Sequence, residues 1–307
     1  MEKIKILLIS DLHLGIEKTN PVFSGEERVK TLNKIVSIAH DHDILLIAGD
    51  LIHDENIDSK YFDILNENFL SLTNAGKEIF YTPGHGELTS QDIINEKILQ
   101  LNTTFTFSDN KSSMIKSSKG NVFIYGLCNK ASPDEWDIER AKEDGFHIGL
   151  FYTDFNPQIN DSSDSLSVKK NNIKKMNLDF YALGKKHTFK MFKLYNKIIG
   201  AYPGSSDICE VDESGDRFVV SMEIEGSELL NIKKISVNNE KKLPPSLKDM
   251  IKDNIDDSLK GVFFQILNEK IDEHVLNEAD NEMLAKIIFQ KSKRNKSKGD
   301  GFAIFES

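Results

Sequence analysis

The stretch KIKILLISDLHLG, residues 3–15, begins with an apolar run that stops abruptly at polar residues. Its aliphatic and β-branched part, Ile4–Ile9, has the length and composition of a buried strand. Asp11 and His13 follow directly. Because residues two apart in an extended segment face the same side, we expect this carboxylate and this imidazole to converge. The stretch therefore predicts a buried strand with a polar site at its carboxyl end.

Apolar strand patterns and amphipathic helix patterns alternate in the residues that follow. The predicted elements are a helix over Glu26–His40, a strand over Ile44–Ala48, a helix over Ser59–Ala75 and a strand over Glu78–Thr82. This β-α-β-α-β order indicates a largely parallel sheet with crossover helices. Sites in such sheets form beyond the carboxyl ends of the strands, which is where the polar residues of this chain lie.

Further short strands are predicted in the middle of the chain, followed by a change of character near its end. The strand patterns are Asn121–Leu127, His147–Tyr152 and Phe180–Leu183, and then Lys190–Tyr195, Ile198–Ala201 and Phe218–Ile224, which we expect to pair in a second sheet. Residues 160–172 are rich in Asn, Asp, Ser and Lys and predict an exposed loop. The polar, proline-broken stretch NNEKKLPP, residues 238–245, marks a boundary between a domain over 1–238 and a small α/β unit over 239–307.

Composition limits the classes of function. The net charge of −10 repels DNA, so any nucleic-acid binding would depend on a local basic patch or on bound cations. Cys128 and Cys209 form no CxxC pattern, which suggests neither a disulfide nor a thiolate zinc site, and we expect two buried thiols. The apolar opening is too short for a membrane span and lacks a signal-peptide cleavage site, so we expect a cytoplasmic protein.

Four polar residues at or just beyond predicted strand ends make up a mixed oxygen and nitrogen ligand set: Asp11, His13, Asp50 and His187. A carboxylate such as Asp50 can bridge two cations, because each of its oxygens can bind a different ion. The set suits Mn, Fe or Zn. Any one of these residues alone is more often a cap or a surface side chain, so the interpretation depends on their order and on their places at strand ends.

The segments ISDLHLG, IAGDLIH, YTPGHGE, LDFYALGKKH and AYPGSSDICEVDE resemble, in order and rough spacing, the motifs of the SbcD-type DNA-repair nucleases. That family belongs to the calcineurin-like metallophosphoesterases, and the resemblance covers about residues 1–235. It implies an α/β, four-layer fold: a metallophosphoesterase β-sandwich flanked by helices, here with the small C-terminal α/β appendage. It also implies a two-metal centre that binds a phosphodiester and activates water. DNA, an SbcC-type ATPase and a second copy of the chain are the implied partners, and no membrane is expected. The helix over residues 59–75 is a candidate dimer contact, although its apolar face is equally expected from packing on the sheet.

The positions of the second metal depart from the family's pattern. Where the family has PGNHD this chain has PGHGE, so His85 stands at the metal-binding Asn and Gly86 at the catalytic His. A slip of one residue would instead give His85 the catalytic role. Tyr152 ends a strand expected to end in a ligand His, and Lys185 replaces the first His of GHxH. An ammonium cannot ligate a cation, so Lys185 either places its own charge at the second-metal position or points to solvent.

The sequence thus predicts a divergent SbcD-like phosphodiesterase or exonuclease with weak activity and one divalent ion, Mn before Fe or Zn. His85 and Lys185 are the candidate catalytic residues, and His85 is also a candidate fifth ligand. Two alternatives stay open: an inactive pseudo-nuclease that binds DNA or a partner protein, and a phosphoesterase for a small nucleotide or phosphoester. Weaker candidates are His53 and Asp54, the Lys- and aromatic-rich residues 185–197, and the basic residues 291–298.

Overall fold

The computed structural model of the chain describes residues 3–18, 25–54, 57–89, 96–128, 133–158, 167–209 and 215–237. The helices are α1 (Gly25–Ala39), α2 (Lys60–Asn74) and α3 (Lys170–Met176). The strands are β1 (Ile4–Ile9), β2 (Ile44–Ala48), β3 (Glu78–Thr82), β4 (Phe105–Thr106), β5 (Ser113–Lys116), β6 (Val122–Gly126), β7 (Phe146–Tyr152), β8 (Asp154–Asn156), β9 (Ser167–Lys169), β10 (Phe180–Gly184), β11 (Lys190–Leu194), β12 (Lys197–Tyr202), β13 (Phe218–Glu225) and β14 (Glu228–Ser236).

Two six-stranded mixed sheets form the centre of the molecule. The first has the order β14-β13-β1-β2-β3-β4 and the second the order β11-β12-β10-β7-β6-β5. In the first sheet β1, β2, β3 and β4 are parallel, while β13 runs antiparallel to β1. In the second sheet β6, β7, β10 and β12 are parallel, and β5 and β11 are antiparallel at the edges. The carboxyl ends of β1, β2 and β10 carry the residues predicted to form the site.

The two sheets pack face to face, and helices cover their outer faces. Ile6 and Leu8 of β1 point into the core between the sheets, whereas Leu7 and Ile9 point outward to α1 and α2. The outer face of the second sheet is covered by α3 and by the segment around Trp136. Each such buried aliphatic side chain contributes roughly 1.5–3 kcal/mol. These four layers confirm the predicted fold class, a metallophosphoesterase α/β sandwich.

Two sequence predictions about the strands are wrong. The segment Phe218–Ile224 was expected in the second sheet, but β13 pairs with β1 in the first, because a strand's pattern does not specify its neighbour. The predicted loop over 160–172 contains β9 and the start of α3. The Asn172 side chain accepts a hydrogen bond from the Lys169 N–H at 2.8 Å and starts that helix. The apolar spacing of Ile173 and Met176 then buries one face of it.

Some sequence predictions concern residues outside the described ranges, and others agree with the structure. The predicted appendage over 239–307 and the basic residues 291–298 lie outside the described residues. Cys128 and Cys209 are both buried, as expected, and they are not joined to each other. No helix in the described parts of the chain is long and apolar enough to cross a membrane.

Candidate metal centre

The predicted ligands come together where β1 and β2 of one sheet meet β10 of the other. Asp11 and His13 follow β1, Asp50 follows β2, and His187 follows β10. Gly184 allows this approach, because a Cβ at that position would lie 1.6 Å from the carbonyl oxygen of Ala48. The close contact of a glycine with the end of β2 therefore brings the ligands of the two sheets to one point.

The backbone at the ligands is held in a conformation that most side chains avoid. Asp11, His13 and Asp50 have φ angles of 50°, 52° and 50°. The left-handed region costs a non-glycine residue about 1–2 kcal/mol. Two hydrogen bonds hold it: the Asp11 N–H donates to the Gly49 carbonyl at 3.0 Å, and the His13 N–H donates to the Asp50 carbonyl at 2.9 Å. Strain of this kind concentrates at functional sites.

All four predicted first-site ligands converge. The His13 Nε2 atom lies 3.3 Å from His187 Nε2 and 3.6 Å from Asp50 Oδ2, and His187 Nε2 lies 4.0 Å from Asp11 Oδ1. Asp11, His13 and Asp50 are buried, and their ligand atoms lie within 4.8 Å of one another. Two imidazole nitrogens bound to one tetrahedral zinc at about 2.0–2.1 Å lie roughly 3.3–3.4 Å apart. The residues therefore fit a divalent cation.

His53, a weak candidate in the sequence, contacts a ligand directly. Its Nδ1 atom lies 3.4 Å from Nδ1 of His13. A hydrogen on His13 Nδ1 that is shared with His53 leaves the Nε2 lone pair directed at the other ligands. Burial lowers the pKa of His13 well below its usual value, with Arg28 and His187 adding to the effect. The imidazole is therefore neutral, which is the form that binds metals. Burial lowers the pKa of His53, and the charge of the next residue, Asp54, opposes that effect.

Both carboxylate oxygens of Asp50, the residue expected to bridge two cations, are engaged by hydrogen-bond donors. The Tyr152 hydroxyl donates to Asp50 Oδ2 at 2.7 Å, and the Gly86 N–H donates to Asp50 Oδ1 at 2.8 Å. Burial and the Asp50 charge raise the pKa of Tyr152, so its hydroxyl stays protonated and remains a donor. Both oxygens of the carboxylate expected to bridge two cations thus already accept hydrogen bonds from the protein.

The two predicted catalytic residues, Lys185 and His85, lie at the edge of the site and differ in their contacts. The Lys185 N–H faces both Asp11 carboxylate oxygens at 3.3 and 3.2 Å, but the ammonium donates to Asp154 Oδ2 at 2.5 Å. Lys186 binds the other oxygen of Asp154. Burial acts to raise the pKa of Asp154, but hydrogen bonds from the two lysines outweigh it and lower that pKa. His85 is exposed, and it lies near enough to Asp50 to oppose in part the burial that raises the pKa of that carboxyl.

Glu87, the last residue of PGHGE, was not singled out from the sequence but lies fully buried beside the ligands. Its carboxylate accepts three backbone hydrogen bonds: from Asp50 N–H at 3.1 Å, from Ile52 N–H at 3.0 Å and from Gly84 N–H at 2.7 Å. It therefore joins the loop after β2 to the loop after β3. The carboxylate three residues after Gly84 was the sequence signal that could have indicated this role.

Three buried carboxyl groups, those of Asp11, Asp50 and Glu87, lie close together in the site. Burial, with the charge of Asp50 adding to it, raises the pKa of Asp11 to about 7 and that of Glu87 to about 7. Burial likewise raises the pKa of Asp50. A bound divalent cation would favour the ionised form of these groups. The electrostatics and the donor set thus agree with a metal site.

Residues 4–138 match the family model of the calcineurin-like phosphoesterases. The match includes Asp11, His13, Asp50 and His85, and with the fold it supports the calcineurin-like metallophosphoesterase superfamily. That superfamily implies a divalent metal, without specifying which. No curated protein shows significant similarity to the chain.

Solved structures that resemble this chain share little sequence identity with it. TT1561 of Thermus thermophilus is 17% identical, covers 77% of this chain and 100% of its own, and has a TM-score of 0.48. The calcineurin-like phosphoesterase YfkN from Bacillus subtilis is 13% identical, with 86% and 98% covered and a TM-score of 0.48. Vps29 complexed with zinc from Entamoeba histolytica is 14% identical, with 76% and 100% covered and a TM-score of 0.34.

Proposed function

We propose that this protein is a metal-dependent phosphodiesterase that uses one divalent cation, and that it is a divergent relative of the SbcD-type nucleases. One observation carries the proposal: the four ligands Asp11, His13, Asp50 and His187 converge, while both oxygens of Asp50 already accept hydrogen bonds from the Tyr152 hydroxyl and the Gly86 N–H. The sequence motifs support the narrower SbcD-like assignment. DNA, an SbcC-type ATPase and a second copy of the chain are the partners that this assignment entails.

The side chains have separable tasks in such a reaction. When bound, a divalent cation supplies a Lewis acid and lowers the pKa of water. His53 holds the tautomer of His13, and the Lys185 N–H orients Asp11. The Tyr152 hydroxyl and the Gly86 N–H fix the plane of the Asp50 carboxylate. His85, exposed at the rim, can pass a proton to the leaving oxygen, a contribution of about 10²–10⁴-fold in rate.

The surroundings of His187 favour a compact substrate. A cavity of about 460 Å³ adjoins it, and its lining includes Lys186, Phe189, Lys190 and Phe192. Phe192 is buried in β11 while Lys190 and Lys193 are exposed, which agrees with a structural role for most of residues 185–197. The net charge of −10 disfavours tight binding of duplex DNA. These features favour a small nucleotide or phosphoester as the substrate, so a small diester is assayed in parallel with DNA.

The decisive experiment measures hydrolysis of a chromogenic phosphodiester and of linear DNA by chelator-treated protein after addition of Mn²⁺, Zn²⁺ or Fe²⁺. We expect activity with one equivalent of metal, and we expect Asp50→Asn to abolish it. His85→Ala should lower kcat by about 10²-fold or more, whereas the exposed His40→Ala serves as the matched control. Lys185→Met tests whether the ammonium takes part.

A second candidate is a metal-binding protein without catalysis. It is favoured by the two donors on Asp50, which reduce the capacity of that carboxylate to bind a second ion. Metal binding that depends on Asp50, with no hydrolysis of either substrate, would establish this candidate. DNA binding measured over a range of salt concentrations would then separate a nucleic-acid binder from a protein binder.

A further inference from the structure

Cys209 lies against the metal-ligand cluster although the sequence gives it no ligand spacing. Its Sγ atom and one nitrogen each of His13 and His187 all lie within 4.8 Å of one another. The side chain is buried, with the residue 8% exposed. His187 and Cys209 follow β10 and β12, while His13 follows β1 far away in the sequence, so a search for CxxC-type spacing could not have found them. Two imidazoles and a thiol at this separation make up an N₂S ligand set.

Hydrogen bonds attach the loop that carries Cys209 to the ligand-bearing segments. The Ser206 N–H donates to the Asp11 carbonyl at 3.2 Å, and the Ser206 hydroxyl donates to the Ser10 carbonyl at 3.1 Å. The Ser205 N–H donates to the His187 carbonyl at 3.0 Å. Both serines are fully buried. The position of Cys209 relative to His13 and His187 is therefore set by the same framework that positions the other ligands.

A buried guanidinium lies beside the sulfur. Arg28 Nη1 and Nη2 are 3.7 and 3.8 Å from Cys209 Sγ. The same guanidinium donates to the Leu12 carbonyl at 2.6 Å, which fixes its position. Both of these guanidinium nitrogens are within hydrogen-bonding distance of the sulfur, so a side chain of the protein also holds the Sγ atom in place.

We propose that Cys209 is a ligand of the metal ion, and that its thiolate shifts the preference of the site from Mn²⁺ toward Zn²⁺ or Fe²⁺. The proposal rests on the metal site of the proposed function. Thiolate sulfur is a soft ligand that selects Zn²⁺ and Fe²⁺, whereas carboxylate and water ligands suit Mn²⁺. The competing role is purely structural: a protonated thiol that donates to the Asp207 carbonyl, 3.3 Å away, and packs against Arg28.

X-ray absorption of the zinc-loaded full chain tests the proposal without a variant. We expect a Zn–S scattering path at about 2.3 Å. Cobalt-substituted protein should show a thiolate-to-cobalt charge-transfer band that Cys209→Ser loses and that Cys128→Ser, the other buried cysteine, keeps. Cys209→Ser should also weaken Zn²⁺ binding by at least about tenfold. Removing a group that only hydrogen-bonds to a metal ligand already costs about 10–100-fold in affinity, so the loss of a ligand should cost no less. Mn²⁺ binding should change less.

The outcomes separate this proposal from the proposed function. A zinc site with only nitrogen and oxygen neighbours, or a cobalt band unchanged in Cys209→Ser, overturns the thiolate ligand even if the protein hydrolyses diesters. A Zn–S path in a protein that hydrolyses nothing supports the ligand and contradicts the proposed function. If Cys209→Ser fails to fold, as judged by its thermal melting curve, the X-ray absorption of the unmodified chain decides.

Discussion

Removing the hydroxyl of Tyr152 tests whether its hydrogen bond to Asp50 supports metal binding. In Tyr152→Phe, Asp50 Oδ2 loses the hydroxyl that donates to it at 2.7 Å, and the ring stays in place. A hydrogen bond to a charged group contributes about 1.5–3 kcal/mol. Its loss raises the pKa of Asp50 further, since this hydrogen bond lowers it now. Protons then compete more strongly with the metal, and the metal affinity should fall about 10- to 150-fold.

The assay is a competitive chelator titration of the stripped protein with Zn²⁺ at pH 7, together with metal stoichiometry. Tyr202→Phe is the matched control, because the Tyr202 hydroxyl also donates at 2.7 Å but to the Thr153 carbonyl and not to a carboxylate. We expect the control to bind zinc like the unmodified chain. An affinity within twofold of normal in Tyr152→Phe would refute the reasoning. A second bound ion would instead show that the hydroxyl excludes it.

Three further results are expected. The pKa values of Asp11 and Glu87 in the folded protein are raised to about 7. The stability that their protonated forms contribute is therefore present below about pH 4 and is lost as the pH rises through 7. The Tm of metal-stripped protein should fall between pH 5 and 8, and added Zn²⁺ should restore it most at pH 8. His53→Ala should weaken zinc binding about 10–100-fold in a chelator titration, with His40→Ala unchanged. Gly184→Ala should lower the free energy of unfolding in urea by about 1–3 kcal/mol or more, or yield insoluble protein.

The sequence predicted the parts of the fold that local patterns specify. β1, β2 and β3 have the predicted bounds because continuous apolar runs in buried parallel strands are distinctive. The place of Phe218–Ile224 was predicted wrongly, because pairing with β1 depends on residues more than 200 positions away and not on the strand itself. β14 was missed because its alternating exposure at a sheet edge resembles a polar loop.

The candidate site was predicted to the extent that it follows from strand ends. Asp11, His13 and Asp50 stand directly after buried parallel strands, and parallel topology places such ends together. Arg28 and Cys209 could not be inferred, because α1 and the loop after β12 bring them in from distant parts of the chain. Their contact is a property of tertiary packing, which no spacing in the sequence records.

The left-handed backbone at Asp11, His13 and Asp50 has a consequence for engineering this protein. Glycine adopts this conformation without the cost that other residues carry, and it would also remove a buried carboxylate or imidazole. In the metal-free state, glycine at His13 should therefore raise thermal stability, whereas glycine at Asp50 would also leave the Tyr152 hydroxyl and the Gly86 N–H without their acceptor. A screen for heat-resistant variants run in the presence of a chelator would therefore select against His13, whereas the same screen with saturating metal would retain it.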